Sequence, residues 1–251
     1  MNDITTTRIA MWSGPRNIST AMMRSFENRT DSAVVDEPFY AYYLAQTKLK
    51  HPMYQQILAS QSNRWQDVVE QLLTDHEIEN NGREVFYQKH MTHHMLKDID
   101  LDWTNHLKHC FLIRNPLYVI NSYVKKMPSV NNDDIGIVRQ YELYQQLCEI
   151  TQSDIPIIDS KDVLENPESV LSQLCQQLDI PFEQRMLSWP KGRRDSDGVW
   201  SSHWYQNVEN SERFGEFIEP VIQLTDQQKA LADENDKYYQ ALYSKRIKPE
   251  S

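Results

Sequence analysis

Along the chain, short apolar runs alternate with longer stretches in which apolar residues recur every three or four positions. Arg8-Ile9-Ala10-Met11-Trp12 reads as a strand bounded by Ser13-Gly14-Pro15, and Ser19 to Glu27 carries helical spacing behind it. Ala33-Val34-Val35 predicts a second short strand that stops at Asp36-Glu37-Pro38. Residues 39–48 and 64–79 read as helices, the latter with Val68, Val69, Leu72 and Leu73 as its inward stripe. Glu84 to Gln88 has the aromatic and β-branched content of a strand. Cys110-Phe111-Leu112-Ile113 is a continuous apolar run ended by Arg114-Asn115-Pro116, with a helix following to Lys126. A helix over about 135–151, a strand at Ile155-Pro156-Ile157-Ile158, a proline-opened helix from Pro167 to Leu178 and a last helix over 226–244 complete the pattern.

Strands of this kind, each followed by a helix, predict an α/β fold: a central parallel β-sheet flanked by helices on both faces. No internal repeat or low-complexity linker divides the 251 residues, which predicts a single domain over 1–251. Asn131 to Asp134 and residues 190–215 read as loops. Ligands of an open α/β sheet bind beyond the carboxyl ends of its strands, so the loops after residues 12, 36, 89 and 113 are the places to look for chemistry.

Composition narrows the choice of ligand. At 39% hydrophobic residues the chain can bury one sizeable core. Its mean hydropathy is −0.69, no stretch approaches the ~20 apolar residues of a membrane span, and Met1 to Ile9 is polar where an export signal needs an apolar run. These features predict an unexported, cytoplasmic chain with no membrane partner. Three cysteines, Cys110, Cys148 and Cys175, contain no CxxC pair and predict neither a disulfide framework nor a zinc cluster. Thirty-six acids against 26 bases give a net charge of −10, which opposes nucleic acid and anionic membranes. An anionic ligand must therefore be met by a local basic cluster. No Gly-Lys dipeptide and no GxGxxG occur, which excludes the Walker A loop and the dinucleotide fingerprint.

Ser13-Gly14-Pro15-Arg16-Asn17-Ile18-Ser19-Thr20 places a cation and then small hydroxyl residues where a strand turns into a helix. Free N–H groups at a helix start attract anions; Arg16 adds a bidentate fork, and Ser19 and Thr20 add hydroxyl donors. An ordinary capping loop is the plainer reading of this segment alone. Arg114 and Ser122 lie eight residues apart across a strand end and the first turns of a helix, so both can reach one phosphate; a solvated arginine and a helical serine are the alternative. Lys191, Arg193 and Arg194 form the most concentrated basic stretch of an acidic chain.

Together these segments resemble the sulfotransferases that use 3′-phosphoadenosine 5′-phosphosulfate (PAPS). That family's 5′-phosphosulfate loop reads Pro, Lys or Arg, Ser, Gly, Thr, Thr; Pro15, Arg16, Ser19 and Thr20 match, and Asn17 and Ile18 replace the Ser-Gly. Its 3′-phosphate motif has the Arg-to-Ser spacing of Arg114 and Ser122. Residues 193–204 are similar to its third segment, Arg-Lys-Gly-x-x-Gly-Asp-Trp-Lys-Asn-x-Phe, with Arg193, Arg194, Gly198 and Trp200 in register and Trp204 at the aromatic position; Asp195 replaces a Gly and Val199 an Asp. The strand, loop and helix from Ile157 to Pro167, leading to Phe182, also look like the family, so the resemblance spans roughly residues 8–205.

The resemblance implies a P-loop-like sulfotransferase fold and transfer of a sulfo group from PAPS to a hydroxyl or amine of a small acceptor, releasing 3′,5′-bisphosphoadenosine without a metal. It assigns the nucleotide to Arg16, Asn17, Ile18, Ser19, Thr20, Arg114, Ser122, Arg193 and Arg194. Sulfuryl transfer, like phosphoryl transfer, is mostly positioning and charge stabilisation, so Arg16 would stabilise the bridging oxygen and a base would assist the acceptor. Glu37 stands where several bacterial and protein-modifying branches carry a catalytic Glu. Lys89-His90-Met91-Thr92-His93-His94 follows the strand where cytosolic members carry Lys-Thr-His; Lys89 matches, His90 falls one position early and His93 two late. Glu37 is the favoured base, with His90 or His93 as the alternative.

Other readings compete. A nucleotide or metabolite kinase with a degenerate phosphate loop lacks Gly-Lys-Ser/Thr, and a non-catalytic adenine-nucleotide-binding protein is suggested by Ile18, Asp195 and Val199. His90-x-x-His93-His94 has no further ligand nearby to complete a metal set. Asp98-Ile99-Asp100 lacks the preceding apolar strand of a phosphatase Asp-x-Asp and reads as a loop or helix start. Tyr40, Tyr42, Tyr43, Trp200, Trp204 and Tyr205 can wall an acceptor pocket or serve as core.

Overall fold

A computed structural model describes residues 6–74, 82–127 and 129–250. Five strands, β1 (Thr7–Ser13), β2 (Ser32–Asp36), β3 (Val85–Met91), β4 (Lys108–Ile113) and β5 (Ile157–Asp159), form one sheet. Their order is β2-β3-β1-β4-β5, and every neighbouring pair is parallel. All five carboxyl ends therefore open on the same edge. The connecting helices are α1 (Ser19–Glu27), α2 (Tyr40–Thr47), α3 (Tyr54–Ser60), α4 (Trp65–Thr74), α5 (Pro116–Tyr123), α6 (Ile137–Thr151), α7 (Ser160–Glu165), α8 (Pro167–Gln177) and α9 (Asp226–Tyr243).

Strand alternation divides the core into two layers. Ile9, Met11, Tyr87, Cys110, Leu112 and Ile158 meet Met22, Met23 and Phe26 of α1 and Leu171 and Leu174 of α8. On the opposite face Ala10, Trp12, Phe86, Phe111 and Ile157 meet Val68 and Leu72 of α4 and Leu143 and Leu147 of α6. Burial on both faces explains why these strands read as near-continuous apolar runs.

The boundaries differ from the sequence reading at several points. β3 continues to Met91, beyond the expected end at Gln88. Pro156 cannot donate to the ladder; its carbonyl accepts from Phe111 N at 2.9 Å, and paired residues of β5 begin only at Ile157. α5 stops at Tyr123 rather than Lys126, and α3 and α7 were not anticipated. The expected continuation of α4 through residues 75–79 lies outside the described residues. No helix among the described residues is long and apolar enough to cross a membrane.

Candidate active site

A cavity of about 550 Å³ opens at the carboxyl ends of the strands, walled by the segments that follow β1, β2, β3 and β4. Arg16, Ser19, Thr20, Arg114 and Ser122 line it, as do Glu37 and Lys89.

On the basic side the two sequence motifs interlock. Arg16 Nε donates to Ser122 Oγ at 3.1 Å, and Arg114 Nη1 donates to the Arg16 carbonyl. Asn17 Nδ2 donates to Leu112 O at 3.1 Å, while its Oδ1 accepts from Ile18 N at 2.8 Å, which pins the loop to the end of β4. Arg16 holds this turn at φ 54°, in the left-handed region. Among the described residues no side chain caps α1, so the first N–H groups of that helix remain available to an anion. Burial lowers the pKa of both guanidinium groups, and the charge of Arg16 lowers that of Arg114 further. Two crowded cations of this kind favour a bound polyanion.

The acidic side is a buried network. Lys89 Nζ donates to Asp36 Oδ1 at 2.8 Å, Glu37 Oε1 at 2.6 Å and Tyr205 Oη at 2.7 Å. Tyr205 Oη also accepts from Trp200 Nε1 at 3.1 Å and donates to Asp36 Oδ2 at 2.7 Å, and Gly198 N reaches the same carboxylate oxygen at 3.1 Å. A side chain cannot replace Gly198, because a Cβ there would stand 2.2 Å from the Trp200 ring. Burial alone would lower the Lys89 pKa, but Asp36 and Glu37 outweigh it and hold the ammonium well above its ordinary value. Burial raises the Glu37 carboxyl, Lys89 opposes the rise and Asp36 adds to it. Glu37 also has a left-handed backbone, φ 41°, and its N–H is tied to the Lys89 carbonyl at 2.9 Å.

Aromatic and imidazole rings also line the cavity. His94 is sandwiched by Tyr40 and Tyr43, with ring centroids 4.5 and 4.8 Å away, and His93 meets Tyr43 edge-on at 5.4 Å. His51 Nδ1 pairs with Tyr40 Oη at 2.9 Å. Burial lowers all three imidazoles, His93 to about 3, so they are neutral near pH 7.

Of the residues expected in the site, Arg16, Asn17, Ile18, Ser19, Thr20, Glu37, His93, Arg114 and Ser122 line this cavity. His90 does not. Because β3 runs on to Met91, strand alternation turns Lys89 toward the cavity and His90 into the opposite core layer. There its ring stacks on Trp12 at 4.4 Å and its Nε2 pairs with Gln88 Oε1 at 3.1 Å.

Arg193 is exposed and does not line the cavity either. Arg194 is held in a local turn: its backbone N–H donates to Asp197 Oδ2 at 2.9 Å and its Nη2 to the Pro190 carbonyl at 2.8 Å. Asp197 in turn forms a buried pair with Arg24 at 2.6 Å, so this stretch fastens the loop onto α1. Tyr42 is likewise absent from the wall, its hydroxyl donating to Asp98 at 2.7 Å. Sequence reasoning missed Arg213 and Gly215, which do line the cavity. A signal was present, since Arg213-Phe214-Gly215 has the Arg-x-Gly spacing that Arg193-Arg194-Asp195 lacks. Tyr123, His51 and Asp134 also line it and carried no motif. Among the described residues no three His, Cys, Asp or Glu side chains are grouped to hold a metal ion.

Comparison with known proteins adds an independent line. The profile of a family described as "Sulfotransferase domain" matches residues 7–246. Two Arabidopsis thaliana proteins named branched-chain-amino-acid aminotransferase-like protein 1 and 2 are each 33% identical over 206 and 207 residues, 82% of this chain. The matched region is 36% of each relative, so the chain spans about a third of their length. Among solved structures, the sulfotransferase domain from the curacin biosynthetic pathway covers 92% of this chain and 98% of its own, with a TM-score of 0.54 and 18% identity. A sulfotransferase from Alicyclobacillus acidocaldarius covers 97% and 98%, with a TM-score of 0.55 and 8% identity. At such identities the likeness is one of fold.

Proposed function

The chain belongs to the sulfotransferase domain family, and from that premise we propose that it transfers a sulfo group from PAPS to a hydroxyl or amine of a small acceptor. The observation that carries this reading is the meeting of Arg16, Arg114 and Ser122, drawn from two distant segments, in the cavity that Glu37 also lines. Arg16 and the uncapped start of α1 meet the phosphosulfate, and Arg114 and Ser122 meet the 3′-phosphate. Charge developing on the bridging oxygen is met by preorganised donors in a partly dry site, where such donors are most effective. Glu37 accepts the acceptor's proton, and burial raises its pKa and with it its basicity. A cytoplasmic setting fits the three free cysteines.

A thermal-shift panel of PAPS, 3′,5′-bisphosphoadenosine, ATP and AMP, followed by an assay of labelled sulfo transfer, tests the proposal. A ligand at 100 times its dissociation constant stabilises by ~2.7 kcal/mol. PAPS and the bisphosphate should stabilise strongly at concentrations where AMP does not; equal affinities for the bisphosphate and AMP reject the donor assignment.

A further inference from the structure

Glu37 stands in a turn that only its surroundings can maintain. Its left-handed backbone, φ 41°, is one that a side chain avoids unless neighbouring groups over-determine it, and such residues collect at active sites. Pro38 follows and has no N–H to give. The Glu37 N–H donates to the Lys89 carbonyl at 2.9 Å, and the Glu37 carbonyl accepts from Tyr40 N at 3.1 Å and from Gln61 Nε2 at 3.1 Å. On the side chain, Oε1 takes the Lys89 ammonium at 2.6 Å. Oε2 has no hydrogen bond among the described residues and is not sealed from solvent; the side chain is 11% exposed and lines the cavity. One carboxylate oxygen is therefore bound into the fold, and the other is free for chemistry.

Gln61 reaches this turn from 24 residues away. It sits half-buried just after α3, and α3 is fastened to α2 by Ile57, which packs with Ala41 and Leu44. The Gln61 amide spans two groups: Nε2 donates to the Glu37 carbonyl, and Oε1 accepts from Ala41 N at 3.0 Å. A carbonyl can only accept and a backbone N–H can only donate, so the chemistry fixes which way the amide faces. α2 has no side-chain cap from its own N-cap residue, Phe39, and the N–H of Ala41 is one of the four that a helix start leaves unpaired. Capping alone would need only the amide oxygen. The second bond, from the amide nitrogen, goes to the residue that carries the proposed base. Gln61 does not line the cavity, so its influence on chemistry passes through Glu37.

We infer that Gln61 is a positioning residue for the proton transfer: by fixing the peptide plane that follows Glu37, it keeps Oε2 presented to the acceptor's hydroxyl or amine. The inference rests on the sulfo transfer, and on Glu37 as its base, proposed above. The acceptor's proton passes to Oε2 as its oxygen or nitrogen bonds to sulfur. The bond from sulfur to the nucleotide's phosphate oxygen breaks, and 3′,5′-bisphosphoadenosine leaves. A reacting group displaced by about 1 Å can lose on the order of a hundredfold in rate even when the altered residue is remote. Nucleotide binding, which draws on Arg16, Arg114 and Ser122, should be untouched.

Two variants separate this role from helix capping. Gln61→Met removes both bonds at nearly constant volume, whereas Gln61→Glu keeps an acceptor for Ala41 N and has no donor for the Glu37 carbonyl. Their crystal structures need no acceptor: in each, Glu37 should leave its left-handed conformation or turn Oε2 out of the cavity, and an unmoved Glu37 overturns the inference. Turnover of labelled PAPS is measured with 1-butanol, butylamine and 2-naphthol as probe acceptors. Both variants should lose about tenfold to a hundredfold in kcat, with the KM for PAPS within about twofold of the parent chain. In a Glu37→Gln background, Gln61→Met should lower kcat no further. Parental kcat in Gln61→Glu shows a helix cap only, and an equal loss in both backgrounds shows a general structural role; either overturns the inference. Should Gln61→Met fail to fold, Gln61→Glu carries both measurements, and should none of the three probes be sulfated, the crystal structures decide. Parental turnover in Glu37→Gln alone defeats the base assignment and the role of Gln61 with it, whereas a Tm unmoved by 3′,5′-bisphosphoadenosine defeats the donor reading.

Discussion

Arg16 and Ser122, 106 residues apart in sequence, are joined by a hydrogen bond of 3.1 Å from guanidinium to hydroxyl. The loop after β1 and the first helix after β4 thus share a polar contact at the mouth of the sheet. Parallel pairing of β1 with β4 makes this possible, because it brings both strand ends to one edge. The contact also couples the two halves of the proposed nucleotide site, so a change at either end is felt at the other.

Arg114→Ala should remove most of the preference for 3′,5′-bisphosphoadenosine over AMP, at about 1.5–3 kcal/mol per charged hydrogen bond lost. The side chain sits at a strand end and donates to the Arg16 carbonyl, so the fold should survive. Isothermal titration with the two nucleotides measures the effect; an unchanged ratio of affinities removes Arg114 from the site.

Arg16→Ala and Glu37→Gln should separate binding from chemistry. Losing Arg16 weakens the nucleotide and slows turnover by ~10²–10³, the usual effect of removing one preorganised donor. Glu37→Gln should slow turnover while leaving bisphosphate affinity nearly intact, because Glu37 is bonded to Lys89 rather than to either arginine among the described residues. If Glu37→Gln turns over normally and His93→Ala does not, the base is His93.

Acid should unfold the protein through its buried histidines. Burial lowers His90 and His93 to about 3 and His109 to about 4, from an ordinary 6.5. A histidine with a depressed folded-state pKa binds fewer protons folded than unfolded. Its contribution is complete above pH 6.5 and is lost as pH falls from there toward the folded values. Each such group adds a slope of up to ~1.4 kcal/mol per pH unit in that window. His90→Phe keeps the stack on Trp12 and should flatten the fall in Tm measured between pH 6.5 and 4; an identical slope contradicts the assignment.

Lys89→Met should be strongly destabilising. It strands the buried Asp36 carboxylate beside Glu37, and breaking a buried pair in this way typically costs about 3–5 kcal/mol. For a chain of this length each kcal/mol lowers Tm by roughly 2–4 °C. Tyr205→Phe should cost less, and the double variant should fall short of the sum because the groups share one network. Strict additivity in denaturant unfolding contradicts that coupling.

Much of the sheet was legible because its strands are buried on both faces and read as unbroken apolar runs, as at Cys110 to Ile113. What was not legible turns on placement across distance. His90 and His93 look equivalent on paper, and only the true end of β3 sends one into the core and the other to the cavity. Arg193 and Arg194 resembled nucleotide ligands by local pattern, yet Asp197 and its buried partner Arg24 hold that turn elsewhere. The Asp36, Lys89 and Tyr205 cluster joins residues from three parts of the chain and leaves no trace in any one segment.

The left-handed backbones at Arg16 and Glu37 set a limit on how this protein can be improved. Each conformation burdens a non-glycine residue by roughly 1–3 kcal/mol, and glycine at either position relieves it. At Glu37 that relief is outweighed, because glycine there also breaks the buried 2.6 Å bond to Lys89. Directed selection for heat resistance would thus be drawn toward Arg16→Gly, the exchange that erases the proposed charge stabiliser, and a thermostable descendant that still turns over must find its gains away from that turn.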